Sequence, residues 1–304
     1  MNEFRYDLLR DEWVLIAPNR LHRPDMNYEI KEKEIKVCPF CRGNENLSEK
    51  EILRFGNPWV LRVVPNKFRS LAIENPYFFD ENKIGSYGAH EIVIDTYRHI
   101  KFFEFEKVEF INLFKAIKLR YNDLKRDYRL KYFICFKNEG IKAGATQPHP
   151  HTQILSLPFI PIQIEKNLLR YKAFYDNHKK TIFEKYIENE KFIIFENDEF
   201  IALLPTASKF AFEVRIIKKD NKIEFSEENL AEVFEFLKIT KKILGEFDFN
   251  LIFNFPPFEG AKYFHFNIEF IPRLFNIAGG ELSGIFTNVV APEIAKKAFD
   301  DFSN

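Results

Sequence analysis

The sequence predicts an α+β protein built from two related units, and three observations carry that expectation. An order of strand, helix, strand, turn, strand can be read from His90 to Leu157 and again from Phe212 to Phe270. The two passages also match locally: Phe212-Glu-Val-Arg-Ile-Ile217 follows the pattern of His90-Glu-Ile-Val-Ile-Asp95, and Phe264 to Phe270 alternates like the run that begins at His149. A charged helical run, Glu165 to Glu188, lies inside the connecting stretch Leu157 to Ile194. Self-similarity of this kind marks a duplicated fold, with units at 1–165 and 166–304. With 304 residues, 46% of them hydrophobic, the chain can fill two such cores.

Each element has a local reason. Glu12-Trp-Val-Leu-Ile-Ala17 reads as a strand ended by the Pro18-Asn19 turn, and Trp59-Val-Leu-Arg-Val-Val64 as a strand closed by Pro65-Asn66. The strand His90 to Asp95 follows Gly85 and Gly88. From Val108 to Leu124, Phe110, Phe114, Ile117, Tyr121 and Leu124 recur at intervals of three and four, the spacing of one helix face. Lys131 to Phe136 is the next strand, with Cys135 inside it as an inert core residue. Asn138-Glu-Gly140 turns the chain toward Gly144, which is small enough to let backbone amides approach a ligand. In the second unit Ser226-Glu-Glu opens a helix that runs through Leu230, Val233, Phe234, Leu237 and Leu244, and Asn250 to Phe253 is a strand.

Composition excludes several classes. Lysine plus arginine and aspartate plus glutamate balance at 45 each, and no basic stripe or nucleic-acid-binding module is visible, so a nucleic-acid partner is not expected. No apolar stretch reaches the roughly 18 to 20 residues of a membrane span. The start Met1-Asn-Glu-Phe-Arg-Tyr lacks the basic-then-apolar order of a signal peptide, which predicts a soluble, cytoplasmic protein. Three cysteines do not make a disulfide framework.

The chemistry concentrates in Ala145-Thr146-Gln-Pro-His149-Pro-His151-Thr-Gln153. If this run is a strand, its period of two puts His149, His151 and Gln153 on one face. Upstream, Cys38-Pro-Phe-Cys41-Arg-Gly43 is a tight knuckle that suits tetrahedral zinc and also fits a redox dithiol, so alone it is ambiguous. Aligned unit on unit, His149 falls on His265, His151 on Asn267, Gln153 on Glu269 and His99 on Asn221; the second unit keeps the frame and lacks the imidazole pair. Cys38, Cys41, His99 and His149 together would form a Cys2His2 zinc site. Zinc there would fix the strand and aim His151, whose neutral imidazole can attack phosphorus directly.

The Cys38 to Cys41 knuckle, Asn138-Glu-Gly, the His-Pro-His-Thr-Gln run, and Phe266-Asn-Ile-Glu-Phe-Ile-Pro-Arg273 followed by Gly279-Gly-Glu281 resemble the galactose-1-phosphate uridylyltransferase family of the histidine-triad (HIT) superfamily. The resemblance runs from about Tyr6 to Ala298. It implies a tandem pair of HIT-like domains, each an antiparallel sheet with helices on it, with catalysis in the first. It also implies a ping-pong exchange of UMP between UDP-glucose and galactose 1-phosphate, through a nucleotidyl bond to His151. Cys38, Cys41, His99 and His149 match the family's structural zinc ligands, and Gln153 the residue that hydrogen-bonds the transferred phosphoryl group. Asn138 and Thr146 match the phosphate pocket, Asn66 a nucleoside contact, and Glu281 a sugar contact supplied across a homodimer interface; Phe68 is a ligand-site candidate only by its place beside Asn66 in the loop after the strand, where a core phenylalanine is the equal alternative. The sequence departs from the family at a second metal site, where His265 and Glu165 remain but Asn267 replaces a histidine, and at Gly280 in the sugar region. It is also similar to plant-type ADP-glucose phosphorylases, which move adenylate to inorganic phosphate. Two further classes stand beside transfer. A histidine-triad hydrolase usually has a third histidine where this chain has Gln153, and a zinc-containing nucleotide-binding protein would form no covalent adduct.

Overall fold

Short alternating strands assemble into one large sheet that carries both halves of the chain. The computed structural model describes residues 3–7, 12–16, 37–75, 77, 79–80, 83–84 and 86–303; Pro18, Asn19 and Gly85 fall outside them. In chain order the first half contains strands β1 (Glu3–Asp7), β2 (Glu12–Ile16), β3 (Leu53–Phe55), β4 (Leu61–Pro65), β5 (Phe79–Asp80), β6 (Lys83–Ile84) and β7 (Ala89–Ile94), helix α1 (Lys107–Leu124), and strands β8 (Tyr132–Glu139) and β9 (His151–Leu157). Helices α2 (Ile162–His178) and α3 (Ile182–Asn189) lead to β10 (Ile193–Glu196), β11 (Phe200–Leu203) and β12 (Val214–Lys218). Then come α4 (Glu227–Leu237), α5 (Ile239–Leu244), β13 (Phe249–Asn254), β14 (Asn267–Pro272), α6 (Gly279–Leu282), β15 (Phe286–Asn288) and α7 (Pro292–Ser303).

Ten strands form the sheet in the order β10-β11-β12-β14-β13-β8-β9-β7-β4-β3, each antiparallel to its neighbours. From the middle outward the order mirrors itself, β8-β9-β7-β4-β3 on one side and β13-β14-β12-β11-β10 on the other. At the join Asn138 lies opposite Asn250, Phe136 opposite Ile252 and Ile134 opposite Asn254. Gln153 pairs with Phe136 and Glu269 with Ile252, so the sequence match of Gln153 with Glu269 is also a match of register. A local two-fold relation through the Phe136–Ile252 pair exchanges Asn138 with Asn254. The fold is thus α+β, with an antiparallel sheet continuous from one half into the other. In a separate small sheet, β2 pairs antiparallel with β1 and parallel with β15.

One face of the large sheet is covered by α1 and α4, which also pack on each other. The aromatic content gathers there: the Phe102 ring lies 5.0 Å from Phe105, 5.1 Å from Phe110 and 5.7 Å from both Phe234 and Phe249. Phe102 is fully buried and touches residues from both halves. Phe102→Ala is therefore expected to cost about 3–5 kcal/mol, to be read in denaturant unfolding; a loss below about 1 kcal/mol would mean that this cluster does not join the halves. Cys135 is buried in the same core, as expected.

The second-half helix expected to run through Leu244 is divided at Lys238, whose N–H turns to Phe236 O, into α4 and α5. The histidine strand also starts later than expected, at His151. Pro148 and Pro150 have no N–H for a ladder, so His149 stands before β9 and is free to turn elsewhere.

Candidate active site

The cysteine knuckle lies on the sheet face opposite α1, where Cys38, Phe40, Trp59, Val64, Ile92 and Ile94 pack together. Gly43, at φ +94, lets the chain turn back. Cys41 Sγ lies 3.3 Å from His99 Nδ1 and 3.6 Å from His149 Nδ1. One ligand atom from each of Cys38, Cys41, His99 and His149 falls within 4.8 Å of the other three. A tetrahedral ion bonded at about 2.3 Å to sulfur and about 2.0 Å to nitrogen needs ligand atoms roughly 3.3–3.8 Å apart, so the four side chains fit such a cation after a small closure. His149 Nε2 lies 2.8 Å from Thr96 O; that N–H donates to the carbonyl and leaves Nδ1 as the lone pair facing the cluster. Burial, then the adjacent Cys38 sulfur, push the Cys41 thiol up to about 11. Two thiols held this close favour a cation that supplies the opposing charge.

His151 opens β9 and is nearly closed off, with 5% of its surface exposed. Its Nδ1 lies 2.9 Å from His149 O, so the proton sits on Nδ1 and the Nε2 lone pair is presented outward. Among the described residues nothing hydrogen-bonds that Nε2. Burial, reinforced by the nearby Lys137 cation, pushes the imidazole down to about 4, so the ring is neutral at ordinary pH. The Phe40 ring sits 5.6 Å from His151 and 6.1 Å from His149. The knuckle residue between the two cysteines therefore also supports the free imidazole. On the other face of the sheet Lys137 Nζ lies 3.0 Å from Asp95 Oδ2 and 3.3 Å from His151 O, which fixes the strand from behind.

Gln153 shares the open face with His151 and turns Oε1 toward His90 Nε2 at 3.3 Å. That leaves its amide N–H groups available to an anion. His90 Nε2 is also 2.9 Å from Asn66 Nδ2, and Phe68 N–H donates to Asn66 Oδ1 at 2.8 Å. Asn66, His90 and Gln153 thus lie in one polar row leading to His151. Phe68 does not join it, being 85% exposed. Asn138 lies at the end of β8 next to the start of β9, and Thr146 is exposed in the turn between Gly144 and His149. Glu281 is apart from this group, on α6 at a rim with Lys209, Phe210 and Phe286, where its carboxylate accepts the Ala278 N–H at 3.0 Å. His265 has both ring nitrogens engaged, with Lys218 O at 2.8 Å and Thr181 Oγ1 at 2.9 Å.

Sequence reasoning missed His90, Lys137 and Asn250 as parts of this site. His90 could have been found, since it is in phase with Ile92 and Ile94 on the strand that pairs with β9. Lys137 reads in sequence as the end of a strand, and only its burial reveals the ion pair.

A buried imidazole with a fixed proton and a bare lone pair, beside side-chain amides and a Cys2His2 cluster, is an arrangement chemically able to attack phosphorus. A family model described as "Galactose-1-phosphate uridyl transferase, N-terminal domain" matches residues 1–161. The chain belongs to this family, a group of nucleotidyltransferases with the HIT-like fold. It is 26% identical to an ADP-glucose phosphorylase of Arabidopsis thaliana over 330 residues, covering 99% of this chain and 93% of that protein. It is 28% identical to a galactose-1-phosphate uridylyltransferase of Thermotoga maritima over 324 residues, covering 98% and 97%. In three dimensions it superposes on the crystal structure of an ADP-glucose phosphorylase from Arabidopsis thaliana with bound ADP-glucose at a TM-score of 0.87, with 26% identity and 98% of each chain covered. Nucleotidyl-transfer or phosphorylase chemistry on nucleotide sugars is the activity class to which these likenesses point.

Proposed function

We infer that this chain is a nucleotide-sugar phosphorylase of the ADP-glucose type, working through a covalent adenylyl-His151 intermediate. The observation that carries the mechanism is the His151 ring, with Nδ1 tied to His149 O and Nε2 left without a partner. In the first step the Nε2 lone pair attacks the α-phosphorus of ADP-glucose, the bond from that phosphorus to the bridging oxygen breaks, and glucose 1-phosphate leaves. In the second, an oxygen of inorganic phosphate attacks the same phosphorus, the P–N bond breaks, and ADP departs. Negative charge gathers on the non-bridging oxygens in both steps. Donors placed for it in advance, Gln153 with Asn138 and Thr146, lower the barrier most effectively because they need no reorganisation.

The family's commonest activity alone would rank uridylyl transfer to galactose 1-phosphate first. The likeness to an ADP-glucose-bound phosphorylase over nearly the whole chain supports the adenylyl version instead. Uridylyl exchange is the second reading, supported by the family match and the Thermotoga relative. Asn66 and Phe68 are proposed to contact the nucleoside. Cys38, Cys41, His99 and His149 are proposed to hold a structural zinc that positions the strand, with no step of the reaction passing through it. We take the two halves, 1–165 and 166–304, as tandem HIT-like domains, and expect a cytoplasmic homodimer in which Glu281 serves the site of a second copy. Incubation with ADP-glucose and phosphate should release ADP and glucose 1-phosphate, while UDP-glucose with galactose 1-phosphate gives little exchange. The reverse preference would move the assignment to uridylyl transfer.

A further inference from the structure

The second half has no catalytic histidine, yet its residues reach the phosphate pocket of the first. Asn250 on β13 lies opposite Asn138 on β8. Its Nδ2 donates to Asn138 Oδ1 at 2.8 Å and to Ala143 O at 2.9 Å, and its Oδ1 accepts from Arg273 Nη1 at 2.9 Å. Every polar atom of the Asn250 amide is engaged, so only one orientation of that amide satisfies all three bonds. Arg273 is a donor only, and among the described residues it has no carboxylate at ion-pair distance. Its charge-assisted bond therefore polarises Asn250 alone.

The consequence falls on Asn138. With Oδ1 turned to the Asn250 N–H, the Asn138 amide presents its own N–H groups on the other side, and among the described residues nothing else takes them. Gly144, at φ +85, lies beside that nitrogen: an added Cβ would stand in van der Waals contact with it at 3.8 Å and take up the space that the missing side chain leaves there. The counterpart across the local two-fold behaves differently. Asn254 Nδ2 already donates to Asn267 Oδ1 at 2.9 Å and to Glu269 Oε1 at 3.3 Å, so the second half keeps no free amide at the equivalent place. Other second-half atoms hold the turn itself. Lys142 N–H donates to Asp248 Oδ2 at 2.7 Å, Arg273 N–H donates to Asp248 O at 2.7 Å, and a Cβ on Gly140 would collide with the Asp248 carboxylate.

We propose that Asn250 and Arg273 are positioning residues for catalysis, locking the Asn138 side chain as a pure donor toward the transferred phosphoryl group and anchoring the turn from Gly140 to Gly144. The proposal rests on the nucleotidyl-His151 reading and gives the second half a direct part in the first half's chemistry. A substitution that reverses the polarity of position 250 should turn Asn138 around and present its oxygen to the phosphate.

The test is the rate of adduct formation on His151 at saturating ADP-glucose, and separately UDP-glucose, without acceptor. Asn250→Asp, nearly isosteric, should slow it by about 10- to 100-fold, approaching the roughly 10²- to 10³-fold effect of deleting an oxyanion donor. Arg273→Met should act in the same direction, and Arg273→Lys should recover part of the loss. The decisive comparison is made in an Asn138→Ala background, where Asn250→Asp should add less than about a threefold further loss, because the route through Asn138 is gone and only the bond to Ala143 O remains to be lost. Full additivity there would assign Asn250 a merely structural role and overturn the proposal, as would unimpaired adduct formation in both Asn250→Asp and Arg273→Met. If the unsubstituted protein forms no adduct from either donor, the nucleotidyl-His151 reading fails, and this proposal with it. Melting temperatures of the variants separate unfolding from loss of positioning.

Discussion

Replacing His151 by alanine is expected to abolish nucleotidyl transfer, with a loss on the order of 10⁴-fold or more if the covalent intermediate forms on this ring as proposed. Folding should survive. Among the described residues the His151 side chain makes one hydrogen bond, to His149 O, and one ring contact, with Phe40, so the stability cost should stay near 1–3 kcal/mol. His265→Ala provides the contrast. It removes two structural hydrogen bonds in the second half and should lower stability by a similar amount while leaving adduct formation nearly intact. Single-turnover mixing with radiolabelled nucleotide sugar, followed by denaturing electrophoresis, measures both variants. Label retained on His151→Ala would mean that another residue is the nucleophile.

Cys38→Ser should lower metal content and stability together. Structural zinc supplies roughly 10–16 kcal/mol of folding energy in isolated zinc fingers. In a chain with a large core of its own only several kcal/mol should be lost, read as about 2–4 °C in melting temperature for each kcal/mol. The effect should extend to catalysis, since Phe40 is carried between the two cysteines and packs on His149 and His151. Strong chelation of the unsubstituted protein should reproduce both losses, and added zinc should reverse them. Unchanged metal content with unchanged melting in Cys38→Ser would contradict the four-ligand assignment.

Much of this arrangement can be read from the chain. The helix over Lys107–Leu124 follows from its phenylalanine spacing, and the register that aligns Gln153 with Glu269 follows from the repeated alternation. The gathering of Cys38, Cys41, His99 and His149 follows from residue types and the duplicated frame. Local pattern misled at His149, because alternation treats Pro148 and Pro150 as ordinary strand positions although neither can donate to a ladder. Asn66 and Gln153 are both expected at the site from sequence, but the link that His90 makes between them exists only because β7 pairs with β9. Asn250 and Arg273 were illegible for the same reason. Their partners lie more than a hundred residues away or across a strand pair, and nothing near them in sequence marks an asparagine whose hydrogen bonds run in one direction.

The central claim is that His151 carries the nucleotidyl group. Intact-mass measurement of the protein after separate incubation with ADP-glucose, UDP-glucose and UDP-galactose, each without acceptor, followed by peptide mapping, tests it most directly. The account predicts an adenylyl increment from ADP-glucose on the peptide containing His151, discharged by inorganic phosphate. An increment on a different peptide, or no increment from any of the three donors, would contradict it.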